Sequence, residues 1–131
     1  MAILTRMVGF VTTTNPEAAK AFYSGKLGFA FLRDDEFALV FDANGTMLRV
    51  VKARQFAPIQ GTVLGWQVDD ISAAVQQLSQ KGIRFERYEF LHPDAAGICT
   101  FPTGDKVAWF KDPDGNVLSL SQHADASPTA Q

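Results

Sequence analysis

Residues able to do chemistry are few in this chain, and His92 and Cys99 are the most suggestive pair. A thiolate beside an imidazole can attack a carbonyl or bind a metal, provided the two groups reach each other and a third group orients the base. No orienting group is visible in the sequence. The competing reading is a loop histidine and a half-buried cysteine, since cysteine is among the most buried residue types. His123 stands beside a small, polar C-terminal stretch and reads as inert. The carboxylates Asp69, Asp70, Asp112 and Asp114 sit next to helix starts and turn residues. They fit caps and turns better than an acid/base pair. Trp66, Trp109, Phe10, Phe37 and Phe41 supply aromatic surface. Core packing explains any one of them, whereas three or more lining one cavity would make a pocket.

The elements that must position these residues follow from pattern and punctuation. Met7 to Thr14 is rich in β-branched residues and reads as a strand. Asn15-Pro16-Glu17 then opens a helix, with Asn15 as cap, Pro16 at the first helical position and Glu17 at the positive end of the dipole. Ala19, Phe22, Tyr23 and Leu27 form its apolar stripe, and Gly28 stops it. Phe29 to Arg33 and Glu36 to Phe41 read as strands turned at Asp34-Asp35. In such a strand Phe37 and Phe41 share one face. Asn44-Gly45 is a strong hairpin signal leading into Thr46 to Val51.

After a linker over 53–61 the order restarts. Thr62 to Val68 is a strand, and Asp69-Asp70 caps a helix. Ile71, Ala74, Val75 and Leu78 recur at helical spacing, and Gly82 ends it. Ile83 to Glu89 reads as a strand. Phe90 to Gly104 is an irregular insertion that could include a short strand near Ile98 to Phe101. It is apolar enough to fold over a binding site as a partial lid. Asp105 to Gln122 is a hairpin turned at Asp112-Pro113-Asp114-Gly115-Asn116, where Pro113 presets φ and Gly115 accepts φ > 0. The halves repeat: Val8 and Val63 stand 55 residues apart, and Gly28 and Gly82 stand 54 apart. A repeat whose units cannot bury a sheet face alone implies one α+β domain over 1–123, with modules at 5–52 and 62–123. The remaining 124–131 is expected to be a disordered tail.

Composition narrows the function classes. The chain has 131 residues, 47% hydrophobic and 20% charged, with a net charge of −2. Without a basic run, nucleic acid and anionic membranes are not expected partners. No apolar run approaches the roughly 18 residues of a membrane span. The N-terminus lacks the pattern of a signal peptide. A single cysteine excludes an internal disulfide, so a cytoplasmic location is expected.

Phe22-Tyr23 with Leu27-Gly28-Phe29, then Gly65-Trp66-Gln67-Val68-Asp69-Asp70, then Trp109-Phe110-Lys111-Asp112-Pro113-Asp114-Gly115-Asn116 occur in an order that resembles the glyoxalase / bleomycin-resistance / extradiol dioxygenase (vicinal oxygen chelate) superfamily. The resemblance implies two tandem βαβββ modules, a curved eight-stranded mixed sheet, and a concave cup for the ligand. In the family's enzymes the cup also holds a divalent metal. Carried over residue by residue, the four ligand positions fall on Val8, near Arg49, on Val63 and on Ser119. A mononuclear site needs about three or four converging N, O or S donors, which this set does not supply. No metal and no cofactor is therefore expected.

A guanidinium in place of a metal suggests an anionic or carbonyl-bearing ligand, with Arg49 and Gln67 as polar anchors. The alternative for Arg49 is an ion pair with a neighbouring carboxylate, or exposure to solvent. Strand alternation puts Phe10, Thr12, Gly65 and Gln67 on the face of Val8 and Val63. Phe10, Thr12, Phe37, Arg49, Gln67, His92, Cys99, Trp109 and Ser119 are thus the expected ligand-binding set. The first functional expectation is a metal-free small-molecule-binding protein of the resistance or sequestration type. A lyase, thiol transferase or dioxygenase is the second, and a scaffold with a filled cup the third. The resemblance also implies a homodimer.

Two solution measurements check these expectations. Elemental analysis of protein purified without a polyhistidine tag should find no stoichiometric transition metal; one Zn, Ni, Fe or Mn per chain held by these strands would overturn the assignment. Light scattering at micromolar concentration should give a dimer mass, and a monomer mass would contradict the pairing.

Overall fold

The computed structural model describes residues 3–124, so most of the expected tail lies outside the described residues. The chain divides into two compact units. One comprises residues up to Gln60 together with Asp112–Asn116, and the other holds Gly61–Lys111 and the chain from Val117 onward. Each contains one four-stranded mixed sheet, and the eight strands form two βαβββ modules as expected.

In the first unit β1 (Val8–Thr13) leads into α1 (Pro16–Lys20). The Asn15 side chain accepts from the Ala18 amide at 3.2 Å, and Pro16 occupies the first turn, where no backbone donor is needed. The helix widens into a π-helical stretch, Ala21–Lys26, marked by the Leu27 amide donating to the Phe22 carbonyl at 2.9 Å. Gly28 then takes φ 79° and ends it. Sequence neighbours Phe22 and Tyr23 are both buried here. Tyr23 packs 5.9 Å from the ring of Phe41, which in turn meets Phe31 at 5.5 Å.

Strands β2 (Ala30–Asp34), β3 (Ala38–Ala43) and β4 (Thr46–Lys52) complete the sheet in the order β1-β4-β3-β2, with β1 parallel to β4. Asn44 and Gly45 take φ 57° and 101°, the two positive values that a tight hairpin requires of this dipeptide.

The turn before β3 differs from expectation. The Asp34 carboxylate accepts from the Glu36 amide, and the Asp35 carboxylate accepts from the amides of Phe37 and Ala38. These side-chain turns compete with the ladder and delay the strand to Ala38. Phe37 therefore does not share a strand face with Phe41. It sits in the turn, 71% exposed, while Phe41 is fully buried.

The turn Asp112–Asn116 supplies the first unit with a buried polar cluster. The Asp112 carboxylate, 6% exposed, accepts from the Tyr23 hydroxyl at 2.7 Å, the Asn116 side-chain amide at 2.8 Å, and the backbone amides of Asn116 and Asp114 at 2.9 and 3.0 Å. Asn116 also donates to the Thr12 carbonyl at 3.0 Å. Asp114 accepts from Thr13 Oγ1, the Thr14 amide and Thr14 Oγ1. Burial, and then the neighbouring Asp112 charge, push the Tyr23 phenol far above its usual range, so it stays a neutral donor.

In the second unit β5 (Thr62–Gln67), α2 (Ile71–Gln80), β6 (Cys99–Thr100), β7 (Lys106–Lys111) and β8 (Val117–Gln122) repeat the topology as β5-β8-β7-β6. Asp70 caps α2 by accepting from the Ala73 amide, and Ile71 and Val75 are its buried positions. The strand expected over Ile83 to Glu89 is absent. Only Phe85 bridges β7, opposite Phe110, and the Glu86 amide donates to the Trp109 carbonyl at 2.8 Å. Farther along, Arg87 is held by Glu89 at 3.0 Å and by the Asp94 carbonyl at 2.9 Å. A short helical turn at Glu89–Leu91 follows, and β6, inside the insertion, takes the edge of the sheet instead.

Tyr23→Phe should leave the buried Asp112 carboxylate one donor short. Urea denaturation should show a loss of about 1–3 kcal/mol; an unchanged midpoint would mean that the phenol contributes nothing to the cluster.

Candidate functional site

Each sheet turns one face toward helix-side core and leaves the other partly open. On β1, Val11 and Thr13 are buried, whereas Val8 and Phe10 are 39% and 58% exposed. Phe10 is the register partner of Arg49 on β4, and Arg49 is the partner of Val40 on β3. Arg49 Nη2 donates to Asp35 Oδ2 at 2.7 Å, with both side chains about a quarter exposed. Of the two readings of Arg49, the ion pair is the one formed; its remaining guanidinium N–H groups carry no hydrogen bond among the described residues. The hydrogen bond from Arg49 holds the Asp35 carboxyl below its usual range. A depressed carboxyl stabilises the fold above its unfolded-state value, and this contribution is lost as pH falls through the folded-state value.

The second sheet's open face is set by register. Gly65 pairs with Ser119 and Ser119 with Trp109; in the next row Gln67 pairs with Ser121, Ser121 with Val107, and Val107 with Cys99. The intervening residues Leu118, Leu120, Ala108 and Phe110 are buried on the other face. Trp109 is therefore on the open face. Its indole Nε1 donates to Thr62 Oγ1 at 3.0 Å, and Tyr88 meets the ring edge-on at 5.4 Å. Phe90, 77% exposed, continues the aromatic run 6.3 Å from Tyr88. Gly65 lets the Ser119 hydroxyl sit close over its backbone: a Cβ there would lie 2.6 Å from that hydroxyl. The Trp109 ring, with Tyr88 at its edge and the Ser119 hydroxyl beside it across the sheet, can stack a planar ligand and hydrogen-bond to its edge.

The expected site residues thus separate. Phe10, Thr12 and Arg49 lie on the open face of the first sheet; Gln67, Trp109 and Ser119 lie on that of the second. Phe37 is in a turn. His92 is exposed with φ 54°, and Cys99 is buried on β6. No hydrogen bond joins His92 and Cys99 among the described residues, and burial pushes the Cys99 thiol up, away from a reactive thiolate.

Part of the insertion also departs from the expected lid. Residues 94–98 run beside α2, where with Val75, Ile83 and Arg84 they line a groove of about 490 Å³. That groove lies on the helix side, away from Trp109. Tyr88 and Ser121 are the residues that sequence reasoning missed. Alternation from Ser119 was signal enough for Ser121, whereas Tyr88 was assigned to a strand that does not form.

The four positions matching the family's metal ligands do not fit a metal. Val8 and Val63 have no donor, Arg49 is a cation in an ion pair, and Ser119 is a neutral hydroxyl facing Gly65. Among the described residues, no group of three or more His, Cys, Asp or Glu is arranged to hold an ion. No described helix is long and apolar enough to cross a membrane.

Comparisons with known proteins agree with the fold. A family model for the Glyoxalase/Bleomycin resistance protein/Dioxygenase superfamily matches residues 4–120. Among solved structures, an antibiotic-binding protein from a Streptomyces species is 27% identical, with a TM-score of 0.72 over 95% of this chain and 99% of that one. A superfamily member from Sphaerobacter thermophilus is 21% identical, with a TM-score of 0.72 over 92% and 98%. A lactoylglutathione lyase from Agrobacterium tumefaciens is 18% identical, with a TM-score of 0.69 over 90% and 92%. The latter two, at these identities, show the shared fold alone. No curated relative matches the chain.

Gly65→Ala and Ser119→Ala should couple, because an added methyl must displace the Ser119 hydroxyl. A double-mutant cycle should give about 0.5–1.5 kcal/mol, the cost of one off-rotamer side chain. Additive effects would show that the hydroxyl does not occupy the gap.

Proposed function

This chain belongs to the glyoxalase/bleomycin resistance protein/dioxygenase superfamily, and we propose that within it the protein binds a planar small molecule without a metal. The observation that carries this reading is the Trp109–Tyr88 platform beside Gly65 and Ser119. Trp109 is fixed at its polar end by Thr62, so its ring face is pre-set rather than ordered on binding. The donor set at the family's metal positions is unsuited to Lewis-acid chemistry, and sequestration needs only binding. The likeness to an antibiotic-binding protein at 27% identity supports the same reading. Exposed Met7, Val8 and Phe10 are the proposed apolar material of a homodimer contact.

A fluorescence titration with anilinonaphthalene sulfonate, a planar aromatic anion, tests the site. Wild-type protein should bind it. Trp109→Ala should weaken binding by at least about 0.5–1.5 kcal/mol, the worth of one aromatic pair. Unchanged affinity in Trp109→Ala would sink the platform.

A further inference from the structure

Where β8 ends, three side chains far apart in chemistry meet. Ser121 Oγ lies 3.0 Å from His123 Nε2, and His123 Nδ1 lies 3.7 Å from Asp105 Oδ2. In the tautomer with its proton on Nδ1, toward the carboxylate, the ring directs its Nε2 lone pair at the Ser121 hydroxyl. Asp105 is held on its other oxygen, Oδ1, by the Ala124 amide at 2.8 Å. That amide holds the carboxyl below its usual range, so it is anionic beside the imidazole. The Ser121 backbone is pinned as well, its carbonyl accepting from the Val68 amide at 2.8 Å. Across the sheet, Ser121 is the register partner of Gln67, which is exposed and whose side-chain amide makes no hydrogen bond among the described residues. A hydroxyl, a base, an orienting carboxylate and a free amide donor are thus grouped on the open face, one row from Trp109.

We propose that Ser121, His123, Asp105 and Gln67 form a hydrolytic site for carboxylic esters. In the first step Ser121 Oγ bonds to the ester carbonyl carbon while its proton passes to His123 Nε2, and the carbonyl oxygen becomes an oxyanion that Gln67 is placed to stabilise. The carbon–oxygen bond to the alcohol breaks as the pair on the oxyanion returns, and His123 gives its proton to the leaving alkoxide. Water then attacks the acyl group with His123 as base, releasing the carboxylic acid and restoring Ser121. Ester and water are consumed, acid and alcohol are formed, and no electrons leave or enter. Ser121, His123 and Gln67 are the catalytic residues; Asp105 positions His123. This site does not depend on the ligand reading above, because its readout is turnover and acylation rather than dye binding.

The test uses the full chain with p-nitrophenyl acetate, followed by nitrophenolate release and by peptide mass spectrometry of quenched protein. Wild type should turn over and carry the acetyl group on Ser121. Ser121→Ala should abolish both, and Ser121→Cys should retain acylation, which shows that the site is still folded. His123→Ala should lower the rate by roughly 10²–10⁴-fold, the usual contribution of a positioned base. Asp105→Asn should lower kcat with little change in KM, a split that a purely structural role for the carboxylate would not produce. Wild type no faster than Ser121→Ala, or an acetyl group found on lysines, Cys99 or His123 with none on Ser121, would overturn the proposal.

Discussion

The first unit depends on how the Asp112 carboxylate is satisfied. A carboxylate this buried is costly unless nearly all its lone pairs are used. Here four donors meet it: the Tyr23 phenol, the Asn116 side chain and two amides of its own turn. Two of the donors are backbone amides, which no side-chain substitution removes. The phenol comes from a position 89 residues away, so it arrives only when the helix packs. Pro113 and Gly115 serve the same end. They allow the chain to curl tightly enough for Asp114 and Asn116 to point their amides back at Asp112, with Gly115 at φ 88°.

With helix-side faces packed, chemistry is left to the open faces. On the first sheet the row through Phe10 and Arg49 combines exposed aromatic surface with a cation already sharing one carboxylate. On the second, Gly65 decides what is reachable. A side chain at that place would displace the Ser119 hydroxyl that sits over it. The next row brings together Gln67 and Ser121, with His123 beside Ser121. The open faces thus present residues suited to stacking and hydrogen bonding.

Two elements are misplaced by a reading of pattern alone. Phe37 alternates correctly with Phe41 as a strand would, yet the Asp35 carboxylate captures its amide and that of Ala38 before the ladder can. Ile83 to Glu89 has strand-like composition, yet only Phe85 bridges β7, and the edge place passes to Cys99 and Thr100. In the first place local hydrogen bonding by a side chain competed with sheet formation, and in the second a later segment took the edge; strand propensity measures fit to a pleated surface and decides neither outcome.

Period, caps and turn dipeptides determined much of this protein from sequence alone: the doubled module, both helices, and the Asn44-Gly45 and Asp112–Asn116 turns; the resemblance to the superfamily added the positions Val8, Arg49, Val63 and Ser119, whose atoms do not suit a metal. These features are local, or depend only on which atoms a residue carries, so one-dimensional reading reaches them. Tertiary structure alone decided that Arg49 finds Asp35, that Tyr88 backs Trp109, that Cys99 is buried without a hydrogen bond to His92, and that His123 stands between Ser121 and Asp105. Each of these joins groups whose meeting depends on strand register and on where a turn releases the chain. A shift of one residue moves every side chain to the opposite face, and no composition or spacing in the sequence specifies that register as closely as the packed sheet does.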